Sequence, residues 1–112
     1  MPSQVEQLEE QLEQFKSLIS VRQMAARLAQ NSDFKTLILE GFCLHDAARF
    51  AAESGDPALS AEARADALAM AQAAGHLKRY LQMTSQMGQH AERTLSDLEA
   101  ALDEARAEEQ GE

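Results

Sequence analysis

Cys43, His45 and Asp46 stand within four residues of one another, and thiolate, imidazole and carboxylate are the groups that bind transition metals. The spacing C-x-H-D matches no closed zinc pattern, and Cys43 is the only cysteine, so no second thiolate completes a site. Cys43 reads as a small core residue, and His45 with Asp46 as a helix start. His76 and His90 are fourteen residues apart, too far along a helix to share one ion. Neither belongs to an H-E-x-x-H pair. His90 and Glu92 cannot face one another at a spacing of two. The sequence has no Gly-rich phosphate loop, no nucleophile elbow and no paired carboxylates suited to acid–base work. The expectation is no catalytic residue, no metal and no cofactor: not an enzyme.

Lys78-Arg79-Tyr80 with His76 forms the one basic patch, which Arg22 and Arg27 could extend. A basic-aromatic patch can read nucleic acid. Three or four cations on a chain of net charge −9 make a poor phosphate footprint, so direct nucleic-acid binding is not expected. The patch reads as protein-facing, or as paired with Glu40, Asp46 or Glu53. Met24, Met70, Met83 and Met87 suit an adaptable groove, and at helical spacing they equally suit core filling.

The elements that carry these residues are helical. Ala, Glu, Leu, Gln and Arg dominate, and only two prolines interrupt 112 residues. That length gives one domain with a modest core. A single cysteine frees the fold from an oxidising compartment. The chain has no apolar run of 18 residues, and MPSQVEQLEE is polar and acidic, so neither a membrane span nor a signal peptide is expected. Charge is uneven: residues 1–15 carry −4, residues 92–112 carry −6, and residues 16–91 carry +1.

Helix one is expected over 4–30, entered through Pro2-Ser3 with Glu6 at the capping-box spacing. Val5, Leu8, Leu12, Phe15 and Ile19 make its a/d stripe. Leu18, Val21, Met24, Ala25 and Leu28 widen that stripe, which predicts deeper packing in the second half. Asn31-Ser32-Asp33 breaks the pattern: Asn suits a left-handed helix end, and Ser32 or Asp33 suits a cap. Two short helices follow, about 33–40 with Phe34, Leu37 and Ile38 on one face, and about 45–53. Gly41 is expected to stop or kink the first. Ser54-Gly55-Asp56-Pro57 is a turn. The longest helix runs from about 60 to 108, with seam positions 63, 67, 70, 74, 77, 81, 84, 88, 91, 95, 98, 102 and 105 all apolar or small. Gly75 and Gly88 weaken it locally, and its last residues are expected to fray.

The implied fold is all-α, an elongated antiparallel helical hairpin with two short helices packed on a long C-terminal helix. Helix one would oppose the C-terminal half of that helix, with Val5 near Ala105 and Phe15 near Leu95. The insert would cover Ala67, Ala74 and Leu77. Both acidic ends would then lie side by side, as a repulsive solvated tip or as a docking end for a basic surface. Parallel self-association through the leucine seam is a further option.

NSDFKTLILEGFCLHDAARFAAESGDPAL, then GHLKRYLQMTSQMGQHAE and an acidic tail, resembles a family of small tailed-bacteriophage proteins. Their pattern runs N-x-D-F-K-x-L-x-L-x-G-[YF]-x-x-x-E-A-x-R-[LF], then a D-P turn, L-[KR]-x-[YF]-L and a Glu-rich end. The resemblance covers about 31–92 through Asn31, Asp33, Phe34, Lys35, Leu37, Leu39, Gly41, Phe42, Ala47, Arg49, Phe50, Asp56, Pro57, Leu77, Arg79, Tyr80 and Leu81. His45-Asp46-Ala47 departs from the acidic pair before Ala. Such proteins are encoded among head and packaging genes without an assigned activity, so the resemblance implies a non-enzymatic virion-assembly or other phage accessory role, in the host cytoplasm or on the virion, and no ligand residue. The expected partners are proteins, phage structural subunits among them, or further copies of the chain. The candidate contact residues are Lys35, Arg49, Lys78, Arg79 and Tyr80, with Asp103, Glu104, Glu108 and Glu109 as a second, acidic surface. The alternative readings are an acidic inhibitor that occludes a basic host surface, and a plain coiled-coil oligomeriser.

Overall fold

The computed structural model describes residues 3–111. The described chain is all-α, with a long C-terminal helix packed against shorter ones. In order it holds α1 (Gln4–Gln30), α2 (Ser32–Phe34), a π-helical stretch (Lys35–Asp46), α3 (Ala47–Ser54) and α4 (Ala61–Gly111). Side-chain caps set the starts. The Ser3 hydroxyl accepts from the Glu6 amide at 3.1 Å, and the Ser60 hydroxyl accepts from the Ala63 amide at 3.1 Å. Each satisfies an amide that a helix start leaves without a partner. Pro2, read as part of the first helix entry, lies outside the described residues. α4 continues to Gly111, three residues past the expected end. Glu112 lies outside the described residues.

Asn31 does not take the left-handed conformation expected of it. It sits at φ −71° and ψ 123°, and its side chain accepts from the Phe34 amide at 2.9 Å. Asn31 itself is therefore the cap, in the extended geometry an N-cap adopts, in place of Ser32 or Asp33.

The larger correction concerns the insert. Two short helices broken at Gly41 were expected, and the structure has one uninterrupted helical run from 32 to 54. Its middle is a π-helix, closed by bonds such as Ala47 N–H to the Phe42 carbonyl, five residues back. More than 3.6 residues complete each turn there, so facing positions step by four and five, returning to three in α3. Phe34, Ile38, Phe42, Ala47 and Phe50 are accordingly half-buried. Leu37, expected beside Phe34 and Ile38, is turned out and is 70% exposed. Gly41 acts through room rather than as a breaker. A Cβ there would sit 3.0 Å from the Thr36 carbonyl oxygen, the backbone group five residues back.

The chain divides into two compact units. The first comprises Met1–Ala25 and Thr84–Glu112. In it α1 runs antiparallel to the C-terminal part of α4: Arg22 meets Glu92, Phe15 meets His90, and Glu9 meets Arg106. Gly88, Ala91, Leu102 and Ala105 are buried. The α1 stripe of Val5, Leu8, Leu12, Phe15 and Ile19 is half-buried, as is natural for a two-helix seam with no third layer. Deeper packing toward the end of α1 does not occur. Met24 is 48% exposed and Leu28 44%.

The second unit is Ala26–Met83. Ala67 and Ala74 are buried in it, and the insert's half-buried phenylalanines belong to the same unit. Small residues matched with large ones are what interdigitated packing requires. Every buried residue of α4 is one of the seam positions read from the sequence. Two other seam positions, Ala63 and Met70, are exposed.

Gly88 marks the closest approach in the first unit. A Cβ there would lie 2.9 Å from the Leu18 carbonyl oxygen and 2.9 Å from Arg22 Cδ, and would also run into Arg22 Cβ. At Gly75 a Cβ would meet nothing within 4 Å. Gly75→Ala is therefore expected to stabilise by about 0.5–1 kcal/mol, the ordinary gain in a helix. Gly88→Ala should destabilise by about 1–3 kcal/mol, because two backbones must separate. Thermal melts of the two variants test this, and equal shifts of the same sign would refute the close approach.

Candidate interaction surface

The metal-like cluster is placed apart by the helix that carries it. Cys43 is half-buried with a free thiol, and His45 is exposed. Asp46 turns to Arg49 at 3.8 Å. Among the described residues, no three His, Cys, Asp or Glu side chains converge as a metal site would need. His90 packs edge-on against Phe15, with ring centroids 6.3 Å apart and planes at 67°. His76 is exposed on α4.

The cations fall into two classes. Arg22, Arg49 and Arg106 are engaged within the chain. Arg22 was read as an extension of the Lys78-Arg79 patch. Instead its stem lies over Gly88 and its guanidinium bonds Glu92. Arg49 donates to Glu53 at 3.0 Å and stacks over the Phe50 ring at 4.5 Å. Asp46 and Glu53, expected as partners for the basic patch, thus serve Arg49. Arg106 donates to Glu9 at 3.0 Å and partly offsets the repulsion foreseen where the two acidic ends meet. Such half-exposed pairs are worth about 0–1 kcal/mol each, so they do not hold the fold together by themselves.

Lys78 and Arg79 belong to the second class. Both are exposed, and neither forms an ion pair among the described residues. Tyr80 beside them is 61% exposed. Lys35 is exposed on the π-helical stretch, and Asp103, Glu104, Glu108 and Glu109 are exposed near the end of α4. From Ala67 to Ala91 α4 contains no acid at all. On its exposed side, steps of three and four align His76, Arg79, Tyr80 and Met83. The methionines accordingly lean toward the surface: Met24, Met70, Met83 and Met87 are all more than 40% exposed.

Sequence reasoning missed two features. The first is a shallow open groove along the insert, lined by Asp33, Thr36, Leu37, Gly41 and Asp46. The π-helical spacing adds Asp46 to it, five residues past Gly41, where a period of 3.6 residues would not place it. The second is Arg64, half-buried, whose Nε is buried without a hydrogen-bond partner.

Two stability outcomes follow from these placements. Lys78→Ala with Arg79→Ala should leave the melting temperature nearly unchanged, because these side chains do no internal work. Arg64→Met should raise stability by about 0.5–1 kcal/mol, since it keeps the stem and removes an unsatisfied donor. Thermal denaturation of both variants is the check. A marked loss in the first would mean that the patch is structural.

No protein-family model matches the chain, and neither does any curated protein or solved structure.

Proposed function

We propose that the chain is a non-enzymatic helical interaction protein, a virion-assembly or structural accessory factor of tailed bacteriophages. It works in the host cytoplasm or on the particle, by docking helix faces onto protein subunits. The observation that carries this reading is a division of labour between the two units. The first holds twelve acids and four bases, a net −8. The second holds seven acids and six bases, a net −1. Among the described residues nine large apolar side chains are left exposed, and seven belong to the second unit: Leu28, Leu37, Leu44, Leu68, Met70, Tyr80 and Met83. Exposed apolar area is costly in water unless a partner covers it. The near-neutral unit is thus the docking part, and the acidic unit keeps the protein soluble and repels unselected contacts. The resemblance of residues 31–92 to tailed-phage proteins supplies the setting.

The charge of the first unit favours a second reading, an acidic inhibitor that covers a basic, nucleic-acid-binding surface of a host protein. One experiment separates the two: affinity capture of the intact chain from cells in which a tailed phage is assembling. The assembly reading expects phage head subunits in the eluate, lost with Lys78→Glu/Arg79→Glu and kept when residues 104–112 are removed. Recovery of a host protein instead, lost on removing 104–112 and steeply weakened by salt, would replace that reading with the inhibitor.

A further inference from the structure

The groove on the insert and the exposed side of α4 are complementary, and both belong to the second unit. The groove sets Leu37, 70% exposed, between the carboxylates of Asp33 and Asp46. Thr36, Gly41 and Asp46, five residues apart, line its length, and Gly41 leaves a notch where a side chain would stand. The weak 3.8 Å contact with Arg49 leaves Asp46 half-exposed and able to accept from another donor. The α4 side offers the opposite chemistry. Arg79 and Lys78 have no ion pair in the chain among the described residues, and Tyr80 and Met83 stand exposed beside them.

We propose that the occupant of the groove is a second copy of this chain, whose Arg79, Lys78, Tyr80 and Met83 lie along Asp33, Leu37 and Asp46. Cation meets carboxylate at the rim, and Tyr80 or Met83 covers Leu37 at the notch. Charge favours a second copy. Two near-neutral units can approach, whereas a contact between two units of −8 would be opposed at low ionic strength. The same surface cannot pair like with like, because its acids and bases are segregated to different helices. Each copy therefore offers one groove and one patch to the other. A contact built from so few side chains calls for weak association, which sets micromolar as the range to test. This inference rests on the reading that the second unit docks, and names what docks there first.

The test uses the purified full chain in sedimentation velocity over roughly 1–200 µM, a range that brackets micromolar affinity. The expected result is a rise from the 12.3 kDa chain mass toward twice that value. Lys78→Glu/Arg79→Glu and Asp33→Lys/Asp46→Lys should each weaken association by at least ~10-fold, a loss of about 1.4 kcal/mol. An equimolar mixture of the two variants should associate again, because in the mixed pair the reversed groove meets the reversed patch and the native groove meets the native patch. Leu37→Gln, at an exposed position that does not bear on folding, should weaken it too and stands in if a reversal disturbs the helix. A single chain mass throughout overturns the proposal, as does association unmoved by the substitutions or a mixture that stays monomeric. A monomer that still captures phage subunits leaves the assembly reading standing. A dimer that captures none removes that reading and keeps this one.

Discussion

The first unit depends on the near contact of two backbones at Gly88. α1 and α4 approach there so closely that α4 has no room for a Cβ, and the Arg22 stem fills the space one would occupy. A side chain between two helices sets their separation. At this point the smallest residue of one helix meets the aliphatic stem of the other, with the guanidinium led out to Glu92. The rest of the unit's register follows from that point. Ala91 is fully buried one turn on, and Leu102 and Ala105 close the seam beyond it. Glu9 and Arg106 sit at its far end. The leucines Leu95 and Leu98 are half-buried in the same unit.

The second unit solves a different problem. Its insert must present large aromatic side chains on one side over twenty-three residues without a turn. An α-helical spacing would bring Ile38, Phe42, His45 and Arg49 into line and so place an imidazole and a guanidinium against apolar neighbours. The π-helical spacing lets the line run through Phe34, Ile38, Phe42, Ala47 and Phe50 instead. His45 and Arg49 are thereby exposed, and Arg49 can meet Asp46, Glu53 and the outer face of Phe50. The cost of that choice is visible on the other flanks, where Leu37 and Leu44 are left in solvent.

What could be read from the residues, and what could not, divides along the same line. The heptad of α4 was legible because one periodicity governs it from end to end, and all of its buried residues fall on the positions that period names. The antiparallel pairing of α1 with the end of α4 followed from lengths. The insert was not legible. A π-helix has no propensity signature of its own, and Gly41 looks like a breaker to any rule built on α-helices. Asn31 was read through its tolerance of left-handed backbone when its other talent, capping, was in use. Arg22 was counted by its charge, and what mattered was its stem. Of the surface, Lys78, Arg79 and Tyr80 could be picked out because they are contiguous in sequence. The groove could not, because Asp46 joins Asp33, Leu37 and Gly41 there only through the five-residue spacing of Thr36, Gly41 and Asp46.

The distribution of charge gives these local choices a common sense. A chain of net −9 could have spread its acids evenly. Instead, the stretch of α4 from Ala67 to Ala91 has none, and Lys78 and Arg79 within it form no ion pair among the described residues. Internal pairing would have contributed about 0–1 kcal/mol per pair at such exposed positions, so stability loses little by leaving Lys78 and Arg79 free. On the proposed docking reading a partner would gain more from them, since like charges pressed together by a wrong partner cost several kcal/mol while the right one is steered in. On that reading, small stabilities forgone inside the chain become selectivity outside it, and the exposed leucines and methionines of the second unit supply the area on which that selectivity would act.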